Sequence, residues 1–318
     1  MSIMFSNLGD MLSKLMMSVK PPERITVSQS AEKYRYLREA THTGYWDNQI
    51  APYLVEIMNE MESLDFTAIA FAGPARCGKT DSIHNWIGYA VNSDPGDMMV
   101  VAMTQSTARD WSQGDLRKML RHSKKIGRNL LPGKQNMNVH DMRFLNGMRL
   151  LIKWPTITEL SGKTMRRMWL MDHDRMPLDI DGEGAAFDLA RKRTQTFGRH
   201  GMTVVESSPG FEVTNHRWMA QTPHEAPPTE GVLSIYNRGD RRRWYWRCAS
   251  PDCGMAFEGD FKLLAWDEHD PDTGEVYDDI QMAESAKMVC PHCGFKHTHD
   301  PDEATGQPGK VGLNRAGR

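Results

Sequence analysis

The sequence predicts an α/β protein with a mainly parallel central sheet, followed by a small β module built around cysteines. Three observations carry this. Apolar runs ending near Ala72, Met103, Asp172 and Glu206 alternate with segments of helical period, and such alternation folds as parallel βαβ units. Gly73 to Thr80 reads Gly-Pro-Ala-Arg-Cys-Gly-Lys-Thr directly after the first run, and fits G-x-x-x-x-G-K-[ST] at every fixed position. Four of the five cysteines form two close pairs near the C-terminus.

At 318 residues the chain has room for two or three domains, and 39% apolar with 25% charged residues is ordinary globular composition. No apolar run approaches the ~20 residues that span a bilayer. Met1 to Lys20 mixes Met and Leu with Asp10, Lys14 and Lys20. It lacks the continuous apolar core of a signal peptide, so a short amphipathic helix and a cytoplasmic protein are expected. A net charge of −2 excludes a chain coated in nucleic acid and confines any such contact to a local patch.

The elements follow in order. Residues 1–50 read as an N-terminal arm, with Pro21-Pro22 and then Tyr34, Tyr36, Tyr45 and Trp46. Pro52 suits the first position of a helix running to Met61, with Leu54, Ile57, Met58 and Met61 on one face. Tyr53 and Trp46 either stack on a nucleotide base or are packing aromatics. Residues 51–220 are expected to form one domain around the phosphate loop. There the glycines let backbone N–H groups of Gly73, Pro74–Gly78 and Lys79 close around phosphate oxygens (Pro74 itself offers no N–H). Lys79 would reach the β/γ-phosphates of ATP, and the Thr80 hydroxyl would ligate Mg²⁺. A helix opening near Lys79 adds its positive dipole end; Ile83, Trp86, Ile87 and Ala90 mark its apolar face and Asn92 its end.

The strand Met98–Met103 follows, then a helix through Trp111 and Leu116 to Leu120, with Thr107 as candidate cap. Arg121, Lys124, Lys125 and Arg128 form a basic cluster. Residues 137–154 read as a hairpin turning at Asn146-Gly147. A second Gly162-Lys163-Thr164 lacks the upstream glycine and is no phosphate loop; Lys163, Arg166 and Arg167 are expected as a basic loop. Met168 to Asp172 is an apolar strand ending in a carboxylate, with Asp174 two residues on. Such a strand beside a phosphate loop is the usual second half of an ATPase site, one acid holding Mg²⁺ and another polarising water. A helix over Ala185–Gln195 carries Arg191, Lys192 and Arg193. The strand Met202–Glu206 ends in Ser207-Ser208-Pro209-Gly210, either a γ-phosphate sensor or a plain turn.

Residues 221–240, with Pro223, Pro227 and Pro228, read as a linker. Residues 241–300 form the cysteine module. It opens with Arg241-Arg242-Arg243-Trp244-Tyr245-Trp246-Arg247, either a nucleic-acid contact or a solvated strand edge. Cys248, Cys253, Cys290 and Cys293, each pair followed by glycine, fit two knuckles closing on one Zn²⁺. His292, His297 and His299 are possible replacements for one thiolate. Residues 301–318, rich in Gly, Pro and charge, are expected to be disordered.

Taken in order, these pieces resemble the large terminase subunit of tailed phages, the lambda-type GpA-like family. The carrying stretches are Gln49-Ile50-Ala51-Pro52-Tyr53, Ala75-Arg76-Cys77-Gly78, Asp172-His173-Asp174-Arg175-Met176-Pro177, Gly182-Glu183-Gly184, Lys192-Arg193-Thr194, Ser207-Ser208-Pro209 and the two Cys pairs. The resemblance implies an ASCE-type P-loop NTPase, with a strand inserted between the phosphate-loop strand and the Asp-bearing strand. It implies a motor driving double-stranded DNA into a capsid, as a homo-oligomeric ring on a portal, with a small terminase subunit, in the host cytoplasm. By the same resemblance Arg76 contacts the γ-phosphate, Ser207 and Ser208 form a coupling motif, and Arg193 is offered to a neighbouring subunit.

Two departures stand out. The family's second motif ends in Asp-Glu, the Glu being the catalytic base, whereas here His173 follows Asp172. Either Asp172 takes the Glu position, or it is the Mg²⁺-binding Asp and the base is Asp174 or Glu206. The family also continues into an RNase H-like nuclease, for which this chain has no remaining carboxylate set. An ATPase part alone is therefore expected, with no DNA cutting. The competing expectations are a zinc-stabilised nucleic-acid-binding or assembly module with a silent nucleotide site, and a different nucleic-acid-dependent P-loop ATPase.

Overall fold

The computed structural model describes residues 23–39, 42–304 and 306–318; the helix expected over Met1–Lys20 lies outside them. The described part of the N-terminal arm, from residue 23, forms regular structure. Helix α1 (Val27–Tyr34) starts at Thr26, whose hydroxyl accepts the Gln29 N–H while the Gln29 side chain accepts the Thr26 N–H. That reciprocal cap fixes the helix start. The antiparallel strands β1 (Tyr36–Arg38) and β2 (Thr43–Tyr45) follow. Trp46 is buried in the core, its indole N–H on Asn48, so it packs rather than stacks on a base. Helix α2 (Tyr53–Glu60) begins one residue after Pro52 and buries Leu54, Met58 and Met61.

The central sheet comprises β3 (Ala68–Ala72), β4 (Met98–Val101), β5 (Met137–Asn138), β6 (Asp141–Arg143), β7 (Arg149–Lys153), β8 (Arg167–Leu170) and β9 (Met202–Ser207). Among the described residues its order is β3-β9-β8-β4-β7-β6-β5. The pairs from β3 to β7 are parallel and the last two antiparallel. The expected hairpin thus extends one edge of the sheet by two strands. Strand β9 lies between the phosphate-loop strand β3 and the Asp-bearing strand β8, as an inserted strand should.

The sheet is covered on both faces, which explains its continuous apolar strands. On β4, Met98 and Val100 point into one core with Trp86, Trp111 and Trp169, while Met99 and Val101 point into a second with Phe187 and Leu189. The first face holds α1, α2, α3 (Lys79–Asn92) and a helical stretch from α4 (Gln105–Trp111) through a π-helical Ser112–Leu116 to α5 (Arg117–His122). Thr104, not Thr107, caps α4; Thr107 is the partner three residues in, returning its hydroxyl to the Thr104 N–H. The short helices α6 (Lys124–Gly127) and α7 (Ile157–Leu160) precede β8. Helix α8 (Ala186–Thr194) lies on the second face.

Arg166 and Arg167 do not form a basic loop. Arg167 is 1% exposed and donates to both oxygens of Glu62 at 2.5 and 2.9 Å and to Asp94 at 3.1 Å. Arg166 pairs with Asp94, and Lys163 with Glu159 at 2.7 Å. Buried guanidinium is tolerated only with such partners, so Glu62 and Asp94 hold Arg166 and Arg167 at the start of β8.

The segment expected as linker contains helix α9 (Val232–Asn237), packed against β3 and β9. The cysteine module pairs β10 (Tyr245–Arg247) with β11 (Ala256–Glu258). It also pairs β12 (Leu264–Ala265), β13 (Lys287–Val289) and β14 (Lys296–His297), with helix α10 (Asp279–Ser285) between. The C-terminal residues are not a disordered tail. Helix α11 (Gly309–Ala316) packs on β10, and Arg318 exchanges two backbone hydrogen bonds with Tyr245 at 2.9 and 3.0 Å.

Candidate nucleotide site and metal centre

Strand β3 delivers the chain into the loop Gly73–Gly78, and α3 leaves it at Lys79. Two glycines are dictated by space as well as by conformation. A Cβ on Gly73 would lie 2.8 Å from the Cys77 sulfur, and one on Gly78, at φ 85°, would lie 2.6 Å from a Leu54 methyl. Arg76 also holds a positive φ, 63°, and its side chain is exposed, as is that of Thr80. Lys79 is buried, its ammonium donating to Gly73 O at 3.1 Å, Pro74 O at 2.8 Å and Ser208 Oγ at 3.2 Å. The loop lysine and the serine-tipped strand are therefore in direct contact.

Ser207 joins the same cluster from two sides. Its carbonyl accepts the Gly73 N–H at 3.1 Å, and its hydroxyl oxygen accepts the Asp174 N–H at 3.1 Å. The turn after β8 places Asp172 in the left-handed region, φ 51° and ψ 49°. Its N–H donates to Glu206 Oε1 at 3.2 Å. Glu206 is 2% exposed, and Oε2 has no hydrogen-bond partner among the described residues. Burial, reinforced by the nearby Asp172 charge, pushes its carboxyl up to about 7.

The two aspartates differ. The Asp172 side chain takes no hydrogen bond from a described residue and is partly exposed. The Asp174 side chain is 1% exposed; Oδ2 accepts the Gly210 N–H at 2.9 Å and Oδ1 the Val232 N–H at 2.7 Å. Both of its oxygens are engaged by backbone. Those partners are 36 and 58 residues away, and nothing local in the sequence signals them.

Tyr53 stands beside the loop. Burial raises its hydroxyl, with the Cys77 thiol contributing. Its ring meets Trp244 edge-on at 6.2 Å, a contact the sequence reading missed. The basic and aromatic stretch before the first cysteine is largely engaged. Arg242 donates to Glu56 and Glu60 of α2 at 2.6 and 3.0 Å and lies 5.1 Å over the Phe66 ring. Arg243 donates to Glu258 at 2.6 Å and Arg241 to Thr222 at 2.6 Å. Arg193 is elsewhere: its carbonyl accepts the Met165 N–H at 3.1 Å, at the end of the sheet opposite the phosphate loop.

Cys248, Cys253, Cys290 and Cys293 converge, their sulfurs all within 4.8 Å of one another. No disulfide joins them. The gaps of 3.6 Å between Cys248 and Cys293 and 4.0 Å between Cys253 and Cys290 bracket the spacing of about 3.8 Å that tetrahedral Zn–S bonds of ~2.3 Å require. Each pair sits on a knuckle closed by a left-handed glycine, Gly254 at φ 56° and Gly294 at φ 76°. None of the three histidines joins this cluster; His292 hydrogen-bonds to the Ala256 carbonyl, and His297 packs between Phe257 and Phe295.

Residues 40–310 match the family model of phage terminase large subunit gpA, ATPase domain. No curated protein matches the chain. Among solved structures, the bacteriophage HK97 large terminase is similar at 13% identity and a TM-score of 0.42, over 57% of this chain and 38% of that one. The Thermus phage P74-26 large terminase ATPase domain is similar at 14% identity and a TM-score of 0.36, over 52% and 66%. The chain therefore spans less than two thirds of either. Since the family model covers most of its length, the chain belongs to the gpA family of phage terminase large subunits, within the ATPase domain.

Proposed function

We propose that this chain is the ATP-hydrolysing motor part of a terminase, coupling hydrolysis to translocation of double-stranded DNA into a capsid. In this reading it works in the host cytoplasm as a ring on a portal, with a small terminase subunit. The observation that carries the proposal is the contact of Lys79 with Ser208, backed by the Gly73–Ser207 and Ser207–Asp174 bonds. The phosphate loop, the second motif and the serine-tipped strand form one hydrogen-bonded unit.

The backbone N–H groups from Ala75 to Thr80 receive the β- and γ-phosphates, and Lys79 exchanges its loop carbonyls for phosphate oxygens. Arg76 faces the γ-phosphate from the exposed rim, and Tyr53 supports the base. Thr80 and Asp172 are the residues to hold Mg²⁺, which when bound offsets charge on the transferring phosphoryl group. Asp174 is held by Gly210 and Val232 with its side chain 1% exposed, which keeps it from an attacking water. Glu206, with Oε2 unbonded among the described residues, takes the role of proton acceptor. Ser207 and Ser208 report the phosphate state. Arg193 is offered to a neighbouring subunit. Cys248, Cys253, Cys290 and Cys293 hold one Zn²⁺.

The test is an ATPase assay, with and without double-stranded DNA, on wild type, Lys79→Ala, Asp172→Asn and Glu206→Gln. Hydrolysis in wild type and its loss in Lys79→Ala are expected. Glu206→Gln should lower turnover by about 10²-fold with Mg-ATP affinity kept, whereas Asp172→Asn should weaken Mg²⁺-dependent binding. Nucleotide binding without hydrolysis in wild type would sink the motor reading and leave a silent site.

A further inference from the structure

Asp174 joins parts of the chain that the nucleotide reading leaves separate. Its buried carboxylate receives the N–H of Gly210, just after β9, and the N–H of Val232, the first residue of α9. The residues between leave and return at one side chain. The fit is close: Gly231 has φ 73° and ψ −146°, and a Cβ there would lie 2.4 Å from Asp174 Oδ1 and 2.6 Å from the Phe211 ring. A Cβ on Gly210 would lie 3.3 Å from the Asp174 Cβ.

Beyond this base His224 and Ala226 are tied to Arg241, Tyr245 and Asn237, and the stretch before them is loosely held. Among the described residues, 211–220 make no hydrogen bond to chain outside 211–225, and Met219 is 76% exposed. The Asp174 N–H, in turn, donates to Ser207, which holds Gly73 at the mouth of the phosphate loop. A continuous set of hydrogen bonds therefore runs from Gly73 through Ser207 and Asp174 to both ends of the 211–231 segment. Helix α9 leads directly on to the cysteine module.

We propose that Asp174 is a positioning residue, a clasp that makes closure of the 211–231 segment depend on nucleotide at the phosphate loop. The proposal rests on the nucleotide reading given above. A shift of the Ser207–Asp174 pair when Lys79 turns to phosphate would load or relieve both bonds at once. Asn in place of Asp174 has one acceptor oxygen for two donors and sets an NH₂ group against the other, an uncompensated buried clash of donors.

The segment carries a single tryptic site, after Arg217, so the rate of that cut reads its opening directly. In the full chain, a non-hydrolysable ATP analogue with Mg²⁺ should slow the wild-type cut by at least about threefold. Asp174→Asn should still bind the analogue, more weakly by about the same threefold factor because the coupling is reciprocal, yet cut fast and without response to it. Gly231→Ala, which leaves the carboxylate in place but pushes it from its seat, should do the same, so an Asp174→Asn protein that fails to fold leaves the test standing. Analogue binding with no change in wild-type cleavage would overturn the clasp. So would variants that lose turnover while keeping the nucleotide response, which would make Asp174 a reacting group. Absence of analogue binding to wild type would instead overturn the nucleotide reading beneath it.

Discussion

His84 lies on the buried face of α3, stacked on Trp111 with centroids 5.5 Å apart and planes 7° from parallel. The Arg35 guanidinium is 3.4 Å from its Nδ1 and also pairs with Asp81 at 3.1 Å. Burial first, and the Arg35 charge second, hold its pKa well below the ordinary 6.5. The folded protein therefore keeps His84 neutral where the unfolded chain protonates it. The stability this provides is full above pH 6.5 and is lost as pH falls below it, by up to about 1.4 kcal/mol per unit. Denaturation curves between pH 5 and 7 should show that slope, and His84→Phe, which keeps the stack, should reduce it by one proton. An unchanged slope would show that His84 is not the titrating group. At this scale legibility tracks distance along the chain. Gly73, Gly78 and Lys79 were readable because their chemistry is local. Arg167 and Asp174 were not, because the carboxylates and N–H groups that define them come from remote elements.

Helix α2 is shared between two bodies. Its Leu54 fills the space over Gly78, while Glu56 and Glu60 receive Arg242 and Tyr53 meets Trp244. The wall of the phosphate loop is thus also the seat of the cysteine module. Arg242→Ala should cost only about 1 kcal/mol in stability, since its partners are partly exposed. It should nonetheless change Trp244 fluorescence if the seat loosens; an unaltered signal would show that the aromatic contact holds alone. The apolar stripe of α2 was plain in the sequence. The Thr26–Gln29 cap of α1 was present too but went unread in a stretch that looked like an arm. The Arg and aromatic interleaving left two readings open, because composition cannot show that acidic partners lie on a helix some 180 residues earlier.

At the scale of the molecule, the parallel sheet was legible from βα alternation and the hairpin at its edge from Asn146-Gly147, while the ordered C-terminus was not. Gly- and Pro-rich composition suggested disorder, but Arg318 completes β10. The module has little apolar core of its own: Phe257, Cys248 and Cys290 are its main buried residues. The Zn²⁺ proposed for the four thiolates would then supply much of its folding free energy. Protein purified without chelator should hold about one Zn²⁺ per chain. Stripping it should unfold β10 to β14 ahead of the central sheet, seen as an earlier, separate transition in calorimetry. A single unchanged transition would refute a structural metal. The order of the sheet has one more consequence. Among the described residues strand β3 is its outermost member, bonded to β9, and α9 packs against both strands. Because Gly73 donates to Ser207, alternation turns the N–H groups of Ile69 and Phe71 toward β9 and those of Ala70 and Ala72 away. Deuterium should therefore enter the phosphate-loop strand in an alternating pattern, early at Ala70 and Ala72 and late at Ile69 and Phe71. This isotopic stripe would vanish if another strand, from this chain or a second copy, were laid along that edge.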